Sequence, residues 1–173
     1  MNVPSPSRRL DLLAFLTTVC VGVWVGGGIV VGAVALPIVF DDSILPRDRA
    51  ADFGVALFPR MNLFEGVLGA IAVLSCALLG RAGWGTARRH RIATGAVLTM
   101  TLIVVVFLLF LTPAIVAKIE KLRADGVDLS DRANMPPDRV ALGRLHRIYA
   151  GLDLVKLIAG IAVLWLLATR RRR

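Results

Sequence analysis

The segment Arg144–Arg173 reads RLHRIYAGLDLVKLIAGIAVLWLLATRRRR. Its centre, from about Ile148 to Ala168, is an apolar run of the length that crosses a hydrocarbon core, about 20 residues of helix. With no water in lipid to satisfy backbone groups, such a run is a helix, and the arginines that follow mark its end. The run is not uniformly apolar. His146 and Tyr149 lead into it, and Asp153 and Lys156 sit inside it. At about 100° per residue these four side chains share one stripe with Ala150 and Gly160. Ionisable groups within a span are costly and face a protein interior or a water-filled cavity. The segment therefore sets the fold class and marks where a function would be sited.

Working outward, three more blocks are long enough to span: about Leu12 to Ile38, Met61 to Leu79, and Ile92 to Val116. The 173 residues are 57% hydrophobic and 19% charged. Soluble domains run nearer 45–50% apolar and about 25% charged. The expectation is an all-α integral membrane protein, one four-transmembrane-helix bundle over residues 1–173, in contact with the lipid bilayer. Arg8 and Arg9 followed by an apolar run imitate a signal peptide, but Leu12 to Phe40 is far longer than a signal core. An uncleaved first span is expected.

The net charge of +9 is compatible with nucleic-acid binding, yet the arginines lie at the ends of apolar spans. That is the placement of positive-inside sorting, and no nucleic-acid partner is expected. Arg8 and Arg9, then Arg81, Arg88, Arg89 and Arg91 with no acid between them, then Arg170 to Arg173, mark one side. Asp41, Asp42, Asp48 and Asp52 mark the other, with a longer loop mixing Lys118, Lys121 and Arg123 with Glu120, Asp125, Asp128 and Asp131. The expected topology is multi-pass in a plasma (inner) membrane with both termini cytoplasmic.

Within the first span, Gly22 with Gly26 and Gly28 with Gly32 are spaced as GxxxG, which lets helix backbones approach closely. The spacing serves packing inside the bundle or a homo-oligomer through helix 1, and both readings stand. Pro37 and Pro113 occupy comparable places, in ALPIVF and LTPAIV, and kink or end their spans. In the second span Phe58, Asn62, Glu65, Gly69, Ala72 and Cys76 alternate in steps of four and three, forming one face. Such a polar, small-residue face belongs against other helices. The third span has only Thr99, Thr101 and Thr112 as polar side chains and reads as a wall.

Depth can be counted back from the arginine-rich ends at 1.5 Å per residue. Asp153 and Glu65 then both lie roughly 6 Å inside the far boundary and Lys156 roughly 11 Å inside it, with Asn62, His146 and Tyr149 above them. The six form a candidate polar cluster between helices 2 and 4. Three readings are open: local pairing that fixes helix register, as in a structural or assembly subunit; a proton or cation site, because two carboxylates outnumber one lysine; or a small-molecule or headgroup pocket with His146 and Tyr149 at its lip.

No cofactor or metal is expected. Cys20 and Cys76 lie inside apolar runs without metal-type spacing, and suit small apolar fillers, with a disulfide between them left open. His90 lies in a connection, His146 near a boundary, and Met100 is the one deep methionine, a poor set for axial haem ligation. Hydrolytic triads and phosphate loops are missing, so an enzyme is not expected.

Trp24-Val25-Gly26-Gly27, Pro37 with Phe40, Ala50 with Phe53, Phe58-Pro59 and Leu145-His146 resemble the family described as transmembrane protein two hundred and five-like, four-span proteins containing a domain of unknown function. The resemblance runs from about Leu10 to Ala168. It implies a four-helix membrane protein and carries over no catalytic residues. The first span is also weakly similar to copper-resistance membrane proteins.

Overall fold

The computed structural model describes residues 6–41, 43–83, 86–127 and 136–169. The basic run Arg170–Arg173 and the loop acids Asp42, Asp128 and Asp131 lie outside the described residues.

The described chain is helical, and four helices are long and apolar enough to cross a membrane. Helix α1 runs Pro6–Val30 and continues through a π-turn, Val31–Ala35, into Leu36–Val39. Helix α2 is Arg47–Arg81. Helix α3 begins as Ala87–Val106, passes through a second π-turn, Phe107–Leu111, and ends as Thr112–Ala124. Helix α4 is Pro137–Ala168.

Local chemistry accounts for the ends. Proline stands at the N-cap of α2 (Pro46) and at the N-cap and first turn of α4 (Pro136, Pro137), where a missing N–H costs nothing. Thr86 caps α3, accepting from the Arg89 N–H at 3.4 Å. Gly83 and Gly126, at φ 71° and 69°, turn the chain out of α2 and α3 through the left-handed region. The carbonyls at the end of α4 are taken up from α3: Arg89 donates to Leu166 O at 3.0 Å and Thr169 O at 3.1 Å.

The helices extend past the apolar blocks. Helix α2 starts at Arg47 rather than near Met61 and carries Pro59 in its interior without a break. The third span, Ala87–Ala124, has 38 residues, about 57 Å of helix against a core of about 30 Å, so it projects at its ends.

Both π-turns precede a proline by the same interval. Leu36 N–H bonds Val31 O, and Pro37 follows; Thr112 N–H bonds Phe107 O, and Pro113 follows. A proline ring collides with the carbonyl four residues back and leaves it without a donor. Widening the preceding turn by one residue relieves that collision.

Consecutive helices pack against each other and α4 closes onto α1, which leaves α2 and α4 as a diagonal pair. The pattern of burial inverts that of a soluble bundle. Leu63, Leu102, Leu109, Phe110 and Trp165 are turned outward, each more than 60% exposed, while Asn62, Glu65, Thr112 and Lys156 are buried. An apolar exterior of this kind is suited to lipid. One half of the interior, toward the chain termini, is filled by Val21, Trp24, Cys76, Leu79, Met100 and Val163. Cys20 and Cys76 are both free thiols in this core.

Close helix contact falls elsewhere than the GxxxG spacing suggests. A Cβ at Gly22, Gly26, Gly28 or Gly32 meets nothing within 4 Å. Gly28 lines a small gap beside Trp24, Met100, Asp153 and Lys156. The tight crossings are at Gly160, where a Cβ meets Val25 and Met100, at Gly69, against Thr101 and Trp24, and at Gly80, against the His90 ring.

Candidate functional site

The centre of the bundle holds a hydrogen-bonded polar column that bridges the diagonal. Lys156 Nζ on α4 donates to Glu65 Oε2 on α2 at 2.6 Å. It also lies 2.7 Å from Asp153 Oδ1, one turn earlier on its own helix. The Glu65 and Lys156 side chains are each 6% exposed, whereas that of Asp153 is 42% exposed. Lys156 is thus held by a buried carboxylate on one side and a half-buried one on the other. Its ammonium also lies 5.3 Å from the centre of the Phe107 ring and 5.9 Å from that of Trp24, within the range of cation–π attraction.

One turn toward the loop end of the bundle, a second set of contacts joins three helices. The Tyr149 hydroxyl on α4 donates to Asn62 Oδ1 on α2 at 2.8 Å. Asn62 Nδ2 in turn donates to Thr112 Oγ1 on α3 at 2.8 Å. The Tyr149 ring lies against Phe107, centroids 3.9 Å apart and planes 12° apart, with Phe58 tilted at 5.4 Å. The buried amide is therefore satisfied at both ends, as a buried polar group must be.

The π-turn of α3 places these partners. In an ordinary α-helix, side chains five apart diverge by about 140°. Five-residue hydrogen bonding brings Phe107 and Thr112 toward one face instead. Both are buried, one stacking on Tyr149 and the other receiving Asn62. The third span is therefore a contributor to the site and not only a wall.

Above this column, between α2, α3 and α4, lies a cavity of about 530 Å³. Tyr149 and Thr112 line its inner end, and Arg47 and Arg139, from the first turns of α2 and α4, line its outer part. His146 lines this cavity too, exposed and one turn above Tyr149. Among the described residues no hydrogen bond joins it to the charge cluster. Of the six side chains grouped from the sequence, Glu65, Asp153 and Lys156 meet in one place, Asn62 and Tyr149 in a second, and His146 stands apart.

Sequence reasoning missed Thr112, Phe107 and Trp24. The Thr112-Pro113 pair carried a usable signal, since a proline inside a span frees a carbonyl and disturbs the phase of the helix beside it. Among the described residues, Trp24 Nε1 is the buried side-chain N–H that meets no hydrogen-bond acceptor at ordinary distance, on a ring that sits beside Lys156. Among the described residues no group of three or more His, Cys, Asp and Glu is arranged to hold a metal ion.

Residues 19–123, more than half of the chain, match a family described as domain of unknown function (DUF4149). The chain belongs to the DUF4149 family. Comparison with curated proteins and with solved structures finds no match. The DUF4149 match takes in Trp24, Asn62, Glu65, Phe107 and Thr112, and ends before α4 brings Tyr149, Asp153 and Lys156. The α4 half of the column therefore lies outside the residues on which membership rests.

Proposed function

We propose that this DUF4149 protein is a non-enzymatic, multi-pass protein of the plasma (inner) membrane, both termini cytoplasmic, with a permeation role in which protons move through its polar column. The observation that supports this reading is the continuity of the cavity with the column. The cavity ends on Tyr149; Tyr149 bonds Asn62; and Asn62 is one turn from Glu65 on the same face of α2. Glu65, Asp153 and Lys156 together hold two carboxylates for one ammonium, so one proton can be taken up or released without stranding Lys156. The packed core around Met100 and Val163 closes the column toward the termini. Passage then requires α4 to shift against α2, breaking the Tyr149–Asn62 and Lys156–Glu65 bonds in one state and re-forming them in the other. The arginine-rich connections support the assignment of sides.

A second reading, a structural or assembly subunit, is favoured by the buried Lys156–Glu65 pair, which joins α4 to α2 and fixes their relative register.

The two are separated by proton flux into vesicles carrying the purified protein and an internal pH-sensitive dye, driven by a potassium diffusion potential. The transport reading expects flux above protein-free vesicles, lost in Glu65→Gln and Asp153→Asn variants that insert and melt like the parent. Parent flux no greater than that of protein-free vesicles would overturn it in favour of the structural reading.

A further inference from the structure

Helices α1 and α4 do not close on each other beside the charge cluster. A gap of about 30 Å³ is lined there by Trp24, Val25 and Gly28 on α1, Asp153 and Lys156 on α4, and Met100 on α3. Its origin is in the sequence. Positions 24, 25 and 28 share one face of α1, and the last of them is a glycine whose Cβ would meet nothing within 4 Å. One turn beyond Lys156 the helices do touch, since a Cβ at Gly160 would run into Val25 and Met100. One turn the other way, toward the loop end, the same faces carry Gly32 and Ala150, both exposed. Those two positions put no side chain larger than a methyl group beside the gap.

The walls carry opposite charges. An ammonium has three N–H donors, and among the described residues Glu65 Oε2 and Asp153 Oδ1 are the partners of Lys156. Asp153 is the member of the cluster turned toward solvent, its side chain 42% exposed against 6% for Glu65 and Lys156. It stands inside the apolar length of α4, where a carboxylate kept from water is costly. The Lys156 ammonium disfavours a metal cation in so small a space, the Asp153 carboxylate disfavours an anion, and ionic walls disfavour an apolar guest. A volume of about 30 Å³ exceeds the roughly 10–15 Å³ that admits one water. The third N–H of Lys156 can donate to such a water, which can itself donate to Asp153.

We propose that this gap is a hydration site, a water held between Lys156 and Asp153, through which the charge cluster exchanges protons on the α1 side. A proton passed from Asp153 to the oxygen of this water is matched by one leaving it outward, so the water is unchanged after each transfer. The charged groups around Asp153 are Lys156 on its own helix and Glu65 on α2, and neither α1 nor α3 brings a charged side chain to the gap. The proposal rests on the column reading above and gives the column a second mouth: the cavity meets it at Tyr149, the gap at Asp153.

Met100 makes the proposal testable, because it is fully buried yet lines the gap, and hydroxyl radicals oxidise its thioether to the sulfoxide. The full chain in lipid nanodiscs receives a brief X-ray pulse, which makes such radicals from water where the water sits. Oxidation is located by mass spectrometry. Cys76 is the control, a buried sulfur in the same core that does not line the gap. We expect oxidation of Met100 and not of Cys76. It should be lost in Gly28→Val, which places methyl groups in the gap, and reduced in Gly28→Ala, a milder filler should the valine variant not insert. Oxidation of Met100 no faster than that of Cys76, or unchanged by both substitutions, would overturn the proposal. Proton flux in the vesicles described above should fall along with Met100 oxidation. Undiminished flux in a variant whose Met100 is protected would overturn the gap as a proton route. A parent without flux, but with Met100 oxidation that depends on residue 28, would sink the column reading and support the hydration site.

Discussion

Tyr149 lies flat against Phe107, ring centroids 3.9 Å apart, while its hydroxyl reaches past the stack to Asn62 on the opposite side of the bundle. Two different forces thus hold one side chain, and they can be separated. Tyr149→Phe keeps the stack and removes the donor, leaving the buried Asn62 Oδ1 unsatisfied. We expect a loss of about 0.5–2 kcal/mol, between the small average for hydrogen bonds in membrane proteins and the cost of a stranded acceptor. Tyr149→Ala also forfeits the aromatic packing and should cost about 3–5 kcal/mol. Reversible unfolding in mixed micelles measures both; equal losses would show that the hydroxyl alone matters.

The Lys156 cluster predicts an asymmetry. Lys156→Met leaves Glu65 and Asp153 facing each other's charge with no cation, and removing one partner of a buried pair costs about 3–5 kcal/mol. Glu65→Gln leaves Lys156 with Asp153, so its cost should be smaller. The double variant should recover part of the sum, with a coupling of about 0.5–3 kcal/mol in a double-mutant cycle. Strict additivity would mean that the 2.6 Å contact contributes no coupling.

Glycine substitutions should divide by place. Alanine at Gly160 drives a methyl into Val25 and to 3.1 Å from Met100 Cε, and at Gly69 to 2.8 Å from Thr101 Oγ1. Overpacking of this kind costs about 1–3 kcal/mol. Alanine at Gly22 or Gly26 enters open space and should be neutral or stabilising by up to about 1 kcal/mol, from helix propensity. Melting temperatures rank these variants. A large loss at Gly26 together with a change in oligomer size would reveal a partner helix on that face.

Acid sensitivity should trace in part to Asp138, on the segment of α4 that precedes the apolar run. Its hydrogen bonds to Lys118 and Lys121 pull its carboxyl down from 3.8 to about 2. The folded value is below the unfolded one, so this stabilisation is fully present above about pH 4. It is lost as pH falls toward 2. Asp138→Asn should lower stability at neutral pH and flatten the profile between those values. An unchanged acid limb in the variant would assign the sensitivity to other carboxylates.

Much of the architecture was legible because lipid imposes few options: apolar blocks of span length are helices, and counting from their arginine-marked ends put Glu65 and Asp153 at one depth. Their meeting with Lys156 follows from that count together with the face shared by Asn62 and Glu65. The start of α2 was read short, because Arg47–Phe58 is polar enough to resemble a loop while being helical. Thr112 and Phe107 escaped notice because a constant 100° step assigns them to different faces, and the π-turn breaks that step. The first-span glycines left two readings open for another reason: GxxxG marks a surface able to pack closely and says nothing of which helix arrives.

The two π-turns also bear on how such a chain can change over generations. Each is in effect a helix carrying one surplus residue, stored just before a proline. Losing one residue from an ordinary membrane helix rotates everything beyond it by about 100° and scrambles the buried face. Losing one from Phe107–Leu111, at outward-facing Leu109 or Phe110, can be absorbed by reverting to regular α-helix, provided Pro113 is replaced as well. These two places are therefore where this chain can lose one residue and keep both halves of the helix in phase.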